Sequence, residues 1–231
     1  MFLLAVDTSN LSGSVACLKD QKLLSEVHWV AKSSHSSILP LQVQEVLEKS
    51  QLKLSQIEAF AVTIGPGSFT GIRIGLAFVK GLAFSQNKKV VGVSSLLALV
   101  EGAKEEGVFC PLIDARREEV YGAVYEKKNG EHRLILEEEA ASPLKFFEKV
   151  KKQIHSPLYF LGSGARRYEK EIQEIFKEQA IFLKESFDSI SATAVGSLGF
   201  ANLSQAEAGG VHLYPHYLRA SEAERKLSLP I

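Results

Sequence analysis

Thiols are nearly absent from this 231-residue chain, which has two cysteines, one methionine and one tryptophan. Cys17 and Cys110 lie in separate apolar, strand-like runs without CxxC spacing. That excludes a zinc ribbon, a dithiol redox centre and a disulfide framework, and leaves the expectation of two buried free thiols in a reducing cytosol. Charge excess is absent too: 27 basic and 27 acidic side chains cancel. An autonomous nucleic-acid binder usually carries a basic surplus, because phosphate contacts dominate its affinity. Only a local patch such as Arg116, Arg117, Arg166, Arg167 and Lys170 is available. No apolar run approaches the ~18–20 residues of a membrane span. The N-terminal MFLLAVDTS has no basic n-region and meets Asp7 after six residues, so it is expected to be a strand and not a signal peptide. Internal repeats and low-complexity segments are missing, as are GxxxxGK[ST] and a full GxGxxG. Histidine, cysteine and serine occur without a recognisable nucleophile–base–orienter set, which leaves a peptidase reading without support.

What is present is most informative at GPGSFTGIRIGLAFVKGLA, Gly65–Ala83. A breaker cluster follows the β-type run Phe60–Ile64, and Ser68 and Thr70 can each cap a helix start, so a strand–turn–helix is expected. From Gly71 to Phe84 the only ionisable side chains are Arg73 and Lys80, seven apart and on one stripe, while apolar residues surround the rest. A helix apolar nearly all round is buried on more than one side. Gly71, Gly75, Ala77, Gly81 and Ala83 make it thin. Each interior glycine costs about 1 kcal/mol relative to alanine, so close approach of another element is expected.

In chain order the pattern predicts strands at Phe2–Val6, Gly13–Leu18 and Lys22–Val30 and a helix capped from Ser33–Ser37 and ending near Ser50, with Pro40 in it. A strand to Ile64, the glycine-rich helix, a strand at Lys89–Val93 and a helix at Ser94–Lys104 complete βββαβαβα. This order implies a sheet covered on both faces, opened by an antiparallel hairpin, and is that of ribonuclease-H-like, actin-like, Hsp70 and sugar-kinase folds. A second unit is expected from Gly107. It comprises a meander of three strands, a helix at Pro143–Ile154, a strand at Leu158–Leu161, one amphipathic helix at Ala165–Lys177, a strand at Ala180–Leu183 and a last helix at Ser191–Leu203 able to pack on either unit. VHLYPHYLR reads as extended, and 220–231 as a loose tail. The expectation is two lobes, 1–105 and a reduced 106–231.

Asp7-Thr8-Ser9 at the end of the first strand fits either an anion- or metal-organising turn or an Asx-type turn that caps the strand. Gly162-Ser163-Gly164, with Gly162 and Gly164 flanking a serine, fits either a nucleotide-facing turn or a plain glycine turn between strand and helix. His212 and His216 are spaced HxxxH, but Pro215 between them favours an extended segment over a helical metal site.

AVDTS, HSSILPLQVQEVL, GPGSFTGIRIGLAFVKGLA, DARREEVYGAVY and YPHYLR together resemble the TsaB (YeaZ) family of tRNA threonylcarbamoyladenosine biosynthesis, in order and over nearly the whole chain. The resemblance implies two actin-like lobes and a non-catalytic paralogue of the TsaD transferase: His35 stands where one histidine opens the first helix, and Leu39 where a second would fall. It implies no catalytic residue and no metal ligand, and docking onto a TsaD-type subunit through His35–Leu47 and Gly71–Phe84. The candidate partner-binding residues are His35, Leu39, Val43, Val46, Ile72, Arg73, Gly75, Leu76, Val79 and Lys80. It also implies a TsaE-type ATPase in the assembly, homodimers through the same surface, tRNA contact only through the complex, and a cytoplasmic location. No cofactor is firmly implied; ATP or ADP at a subunit boundary stays open, with Asp7, Thr8, Ser9, Gly162 and Gly164 as candidate contacts. The alternative is an ATP-binding actin-like or sugar-kinase-like phosphotransferase.

Overall fold

The computed structural model of the protein describes residues 1–31, 34–185 and 188–219; the expected tail and Ser33 lie outside them. Strands β1 (Phe2–Asp7), β2 (Ser12–Lys19) and β3 (Lys22–Val30) form an antiparallel meander. Asp20 and Gln21 turn β2 into β3 at φ of 46° and 69°, the left-handed pair that suits the twist of a tight hairpin. After α1 (His35–Lys49), β4 (Ala59–Gly65) pairs parallel to β1; after α2 (Phe69–Ser85), β5 (Lys89–Ser94) pairs parallel to β4. β1 and β4 are apolar without alternation because helices cover both faces of the sheet.

α3 (Ser95–Gly102) leads to the second sheet. There β6 (Gly107–Arg116), β7 (Glu119–Lys128) and β8 (Glu131–Ala141) form another antiparallel meander. α4 (Pro143–Gln153) follows, and β9 (Leu158–Leu161) then pairs parallel to β6. α5 (Ser163–Arg167) and α6 (Glu169–Phe176) precede β10 (Ala180–Phe182), parallel to β9. The order β10-β9-β6-β7-β8 repeats β5-β4-β1-β2-β3 of the first sheet, so the duplication is one of topology, with no trace in residue identity. α7 (Ala192–Ala201) and the two-residue β11 (Glu207–Ala208), which pairs with β5, return the chain to the first sheet.

Three apolar clusters fill the layers. α1 and α2 cover the outer face of the first sheet, burying Leu39, Val43, Val46, Leu76 and Val79 against Val6, Phe60 and Val62. α4 and α6 cover the outer face of the second sheet through Phe146, Phe147, Ile172 and Phe176. The middle cluster is shared: Leu3, Ala5 and Ala61 of one sheet and Phe109, Ile113 and Tyr121 of the other pack with Leu96, Leu99, Val195 and Leu198 of α3 and α7. α7 is thin because it is sandwiched. A Cβ at Gly196 would sit 2.5 Å from Leu18, and one at Gly199 2.7 Å from Ala61. Glu26 of β3 fixes its start, accepting from Ser191 Oγ (2.7 Å), Thr193 N (3.0 Å) and Thr193 Oγ1 (2.9 Å). Burial pushes the Glu26 carboxyl up, but His28 and these donors outweigh it and hold the pKa at about 2.

One expectation changes. The helix expected over Ala165–Lys177 is two helices broken at Tyr168, whose ψ of 27° leaves the helical region. Arg166 (to Asp188, 2.6 Å) and Arg167 (to Asp114, 2.8 Å) tether α5, while α6 turns Ile172 and Phe176 into the core. Pro40 lies in the second turn of α1, so its missing N–H leaves the carbonyl of exposed Ser36 to water.

Candidate functional site: an exposed helical face and the cleft beside it

β4 ends at Gly65 (φ 120°), and a cis Gly65–Pro66 bond turns the chain towards α2. Ser68 caps the helix: its Oγ accepts from Gly71 N at 3.2 Å, and its own N–H donates to Ser9 O at 2.7 Å. Thr8 Oγ1 donates to Gly71 O at 2.8 Å. A Cβ at Gly71 would overlap the Thr8 carbonyl oxygen, and one at Gly75 would overlap Thr8 Oγ1. These two glycines therefore admit the Asp7–Ser9 turn of the same chain. Gly81 is different: it is exposed, and a Cβ there would meet nothing within 4 Å.

The buried members of the expected interface set are His35, Leu39, Val43, Val46, Ile72, Gly75, Leu76 and Val79. The structure puts them beneath the surface, where they hold α1 and α2 on the sheet. His35 is a pin, because Trp29 Nε1 donates to its Nδ1 at 3.2 Å and its Nε2 lies 2.7 Å from Asn10 O. The surface itself is a ridge on α2 of Thr70, Ala77, Gly81 and Phe84, flanked by half-buried Ile74, Phe78 and Leu82 and, on α1, by Leu41. Phe84 is 75% and Leu41 63% exposed. Arg73 and Lys80 do form one stripe, but the chain's own 211–219 segment lies along it. Arg73 Nε donates to Tyr217 Oη at 2.6 Å, and Tyr217 stacks on Phe69 at 4.4 Å. Lys80 Nζ donates to the carbonyls of Val211 and Leu213, both at 3.2 Å, over the Tyr214 ring.

Asp7, Thr8 and Ser9 are buried. Asp7 Oδ1 accepts from Ser9 N (3.0 Å), Ser9 Oγ (2.7 Å) and Thr63 Oγ1 (2.7 Å), an Asx-type turn that caps β1. Burial pushes the Asp7 carboxyl up, against the pull of these hydrogen bonds, and its Oδ2 has no partner. Asp114, at the matching end of β6, makes the same turn with Arg116 N at 2.8 Å and is half-buried. Gly162, at φ 93°, donates its N–H to Asp188 Oδ1 at 3.0 Å, and Gly164 packs on the Leu112 backbone. The Gly162–Gly164 turn thus spends the Gly162 donor and the space at Gly164 internally, and the buried Asp7–Ser9 turn presents no side chain to a ligand. Neither set fits a nucleotide polyphosphate. Between the two carboxylate turns a cleft of about 640 Å³ opens, bounded by the start of α2, the β6–β7 hairpin and Arg219. Tyr217, Arg219, Asp188 and the exposed ridge escaped sequence reasoning; the signal for the first two was YPHYLR.

Among the described residues no group of His, Cys, Asp or Glu is arranged to hold a metal ion, and no helix is long and apolar enough to cross a membrane. Two sheets of one topology with a cleft at their strand ends define an actin-like α/β protein. A hexokinase of Thermus thermophilus superposes with a TM-score of 0.51 at 10% identity, over 89% of this chain and 100% of that one, a likeness of fold alone.

The family model described as TsaD, tRNA N6-adenosine threonylcarbamoyltransferase, matches residues 27–227. The tRNA threonylcarbamoyladenosine biosynthesis protein TsaB of Bacillus subtilis is 30% identical over 98% of this chain and 97% of its own. YeaZ from Pseudomonas aeruginosa superposes with a TM-score of 0.78 at 28% identity, over 94% of this chain and 99% of that one. The chain belongs to the TsaB (YeaZ) family.

Proposed function

We propose that this chain is a non-catalytic subunit required for threonylcarbamoyladenosine modification of tRNA, which docks on a TsaD-type transferase through the exposed face of α1 and α2. The observation that carries this reading is Gly81. A glycine inside an exposed helix costs about 1 kcal/mol, and no neighbour among the described residues requires it. Close approach of a second protein to the Ala77–Gly81–Phe84 ridge accounts for it, with Phe84 and Leu41 as apolar anchors. A second copy of the chain uses the same face when the transferase is scarce, a TsaE-type ATPase joins the assembly, and the complex works in the cytoplasm. Leu39, where a paired histidine would be needed for a metal, is wholly buried, which supports an accessory role.

Gly81→Arg tests the face. Gly75→Arg is uninformative, because Thr8 fills that position. The Gly81→Arg protein is expected to have a thermal midpoint no lower than the parent's, since arginine is the better helix former, and to lose association with the TsaD-type subunit at least about tenfold in sedimentation, since a buried unpaired charge costs several kcal/mol. Unchanged association sinks the assignment.

A further inference from the structure

We propose that the cleft between the two sheets binds the phosphodiester backbone of an RNA strand directly. This rests on the functional reading above and gives the chain its own contact with the substrate. The cleft lies at the carboxyl ends of the parallel strands, where open α/β sheets bind ligands because the loops diverge. Four arginines line it from both lobes: Arg73 on α2, Arg116 and Arg117 on the β6–β7 hairpin, and Arg219. Of the acidic side chains there, Asp114 is matched by Arg167 at 2.8 Å and Asp188 by Arg166 at 2.6 Å; Glu119 nearby is matched by Arg219 at 2.7 Å, and Glu118 lies exposed on the hairpin beside Arg117. Arg73 Nε has only the neutral Tyr217 hydroxyl. The first turn of the 17-residue α2, Phe69 and Thr70, faces the same space and adds the positive end of a helix.

Arg116, Arg117 and Glu118 sit at φ of 60°, 55° and 57°, three successive non-glycine residues in the left-handed region. Arg117 and Glu118 form the left-handed pair of a tight hairpin, as Asp20 and Gln21 do between β2 and β3. The hairpin carries both exposed arginines to the cleft mouth. Phe69 and Tyr217, stacked at 4.4 Å with the Arg73 guanidinium 5.5 Å from the Tyr217 ring centre, form an aromatic–cationic rim of the kind on which unpaired bases stack. A free nucleotide is less well served by the glycine turns: Gly162 N–H, Ser68 N–H and Gly71 N–H are bonded within the chain. Separate guanidinium groups spread over both lobes match a row of phosphates better than one compact polyphosphate.

The test is anisotropy of a fluorescein-labelled anticodon stem-loop RNA titrated with the full chain alone, across a salt series, beside an ATP titration. Binding is expected with a log–log salt slope of about −2, the value for some three phosphates at about 0.7 each. Arg116→Asn with Arg117→Asn keeps residues that tolerate left-handed backbone. It should weaken binding about tenfold and bring the slope about 1.4 units nearer zero, about 0.7 for each arginine. Arg116→Asn alone should move both in the same direction, and circular dichroism reports whether each variant is folded. Absence of RNA binding at low salt, ATP binding in place of RNA, or wild-type RNA affinity in folded arginine variants overturns the proposal. Gly81→Arg separates the two readings. Lost partner association with intact RNA binding in that variant leaves both standing, whereas a parent chain that associates with the partner but binds no RNA removes this inference alone.

Discussion

Asp7 shows how a single side chain is assigned by its surroundings. An aspartate ending the first strand of an actin-like lobe invites a ligand-binding role, but this one is wholly buried and spends Oδ1 on Ser9 and Thr63. Burial raises its pKa above the ordinary value of 3.8, so the fold favours the protonated form. The sign follows: stability linked to Asp7 is full below the ordinary value and is lost as pH rises through the raised one. Asp7→Asn keeps an acceptor for Ser9 and Thr63 and removes the titration. Its stability relative to the parent should therefore improve steadily from pH 3.8 upward and level off above the raised value, read by chemical denaturation at a series of pH values. A difference that does not change with pH would show that Asp7 is not held protonated. The thiols are quiet by the same physics: burial pushes both Cys17 and Cys110 up.

At the scale of the element, α2 carries its design in three glycines with two different jobs. Gly71 and Gly75 receive Thr8, and Gly81 faces open space. Substitution by alanine should therefore have opposite signs within one helix. Gly75→Ala should destabilise by about 1–3 kcal/mol through overpacking, and Gly81→Ala should stabilise by about 0.5–1 kcal/mol through helix propensity. Urea midpoints of the two variants decide it, and a loss at both positions would mean that Gly81 is packed. The same helix shows what periodicity conveys. Seven-residue spacing put Arg73 and Lys80 on one stripe, as the structure has them, but spacing is silent on what lies opposite, and 211–219 does. Interface helices picked from a motif were likewise populated with their most apolar residues, and those are the ones the sheet buries. What the helix leaves exposed or half-buried is alanine, glycine, and the edges of Phe78 and Phe84.

For the whole molecule, the decisive fact is the shared middle layer. Residues 1–105 and 106–231 read as two units, yet α3 and α7 belong to one apolar cluster with both sheets, and Arg219 ties the last described residues to Ala115 and Glu119 of the second sheet. Domains that share so much apolar surface do not unfold separately. Calorimetry should give a single transition with a calorimetric to van't Hoff enthalpy ratio of about one; two resolved transitions would show that the lobes are independent. The shared core also makes the cleft a shaped site and not a loose hinge, because its walls are two faces of one packed body.

The sequence by itself determined the element order, the strand–turn–helix at Gly65–Ala83, the apolar character of the buried strands and the family, since these depend on local chemistry: breakers, caps, periodicity and a specific block of residues. Only the tertiary structure decided which glycines face the protein and which face solvent, that both His35 nitrogens are spent on Trp29 and Asn10, and that 211–219 straps α2. It also decided that the second sheet repeats the first and brings Arg73, Arg116, Arg117 and Arg219 to one cleft. Those four lie up to 146 positions apart, from 73 to 219. No local propensity encodes such a meeting; it follows from the crossovers that stack two sheets on one core.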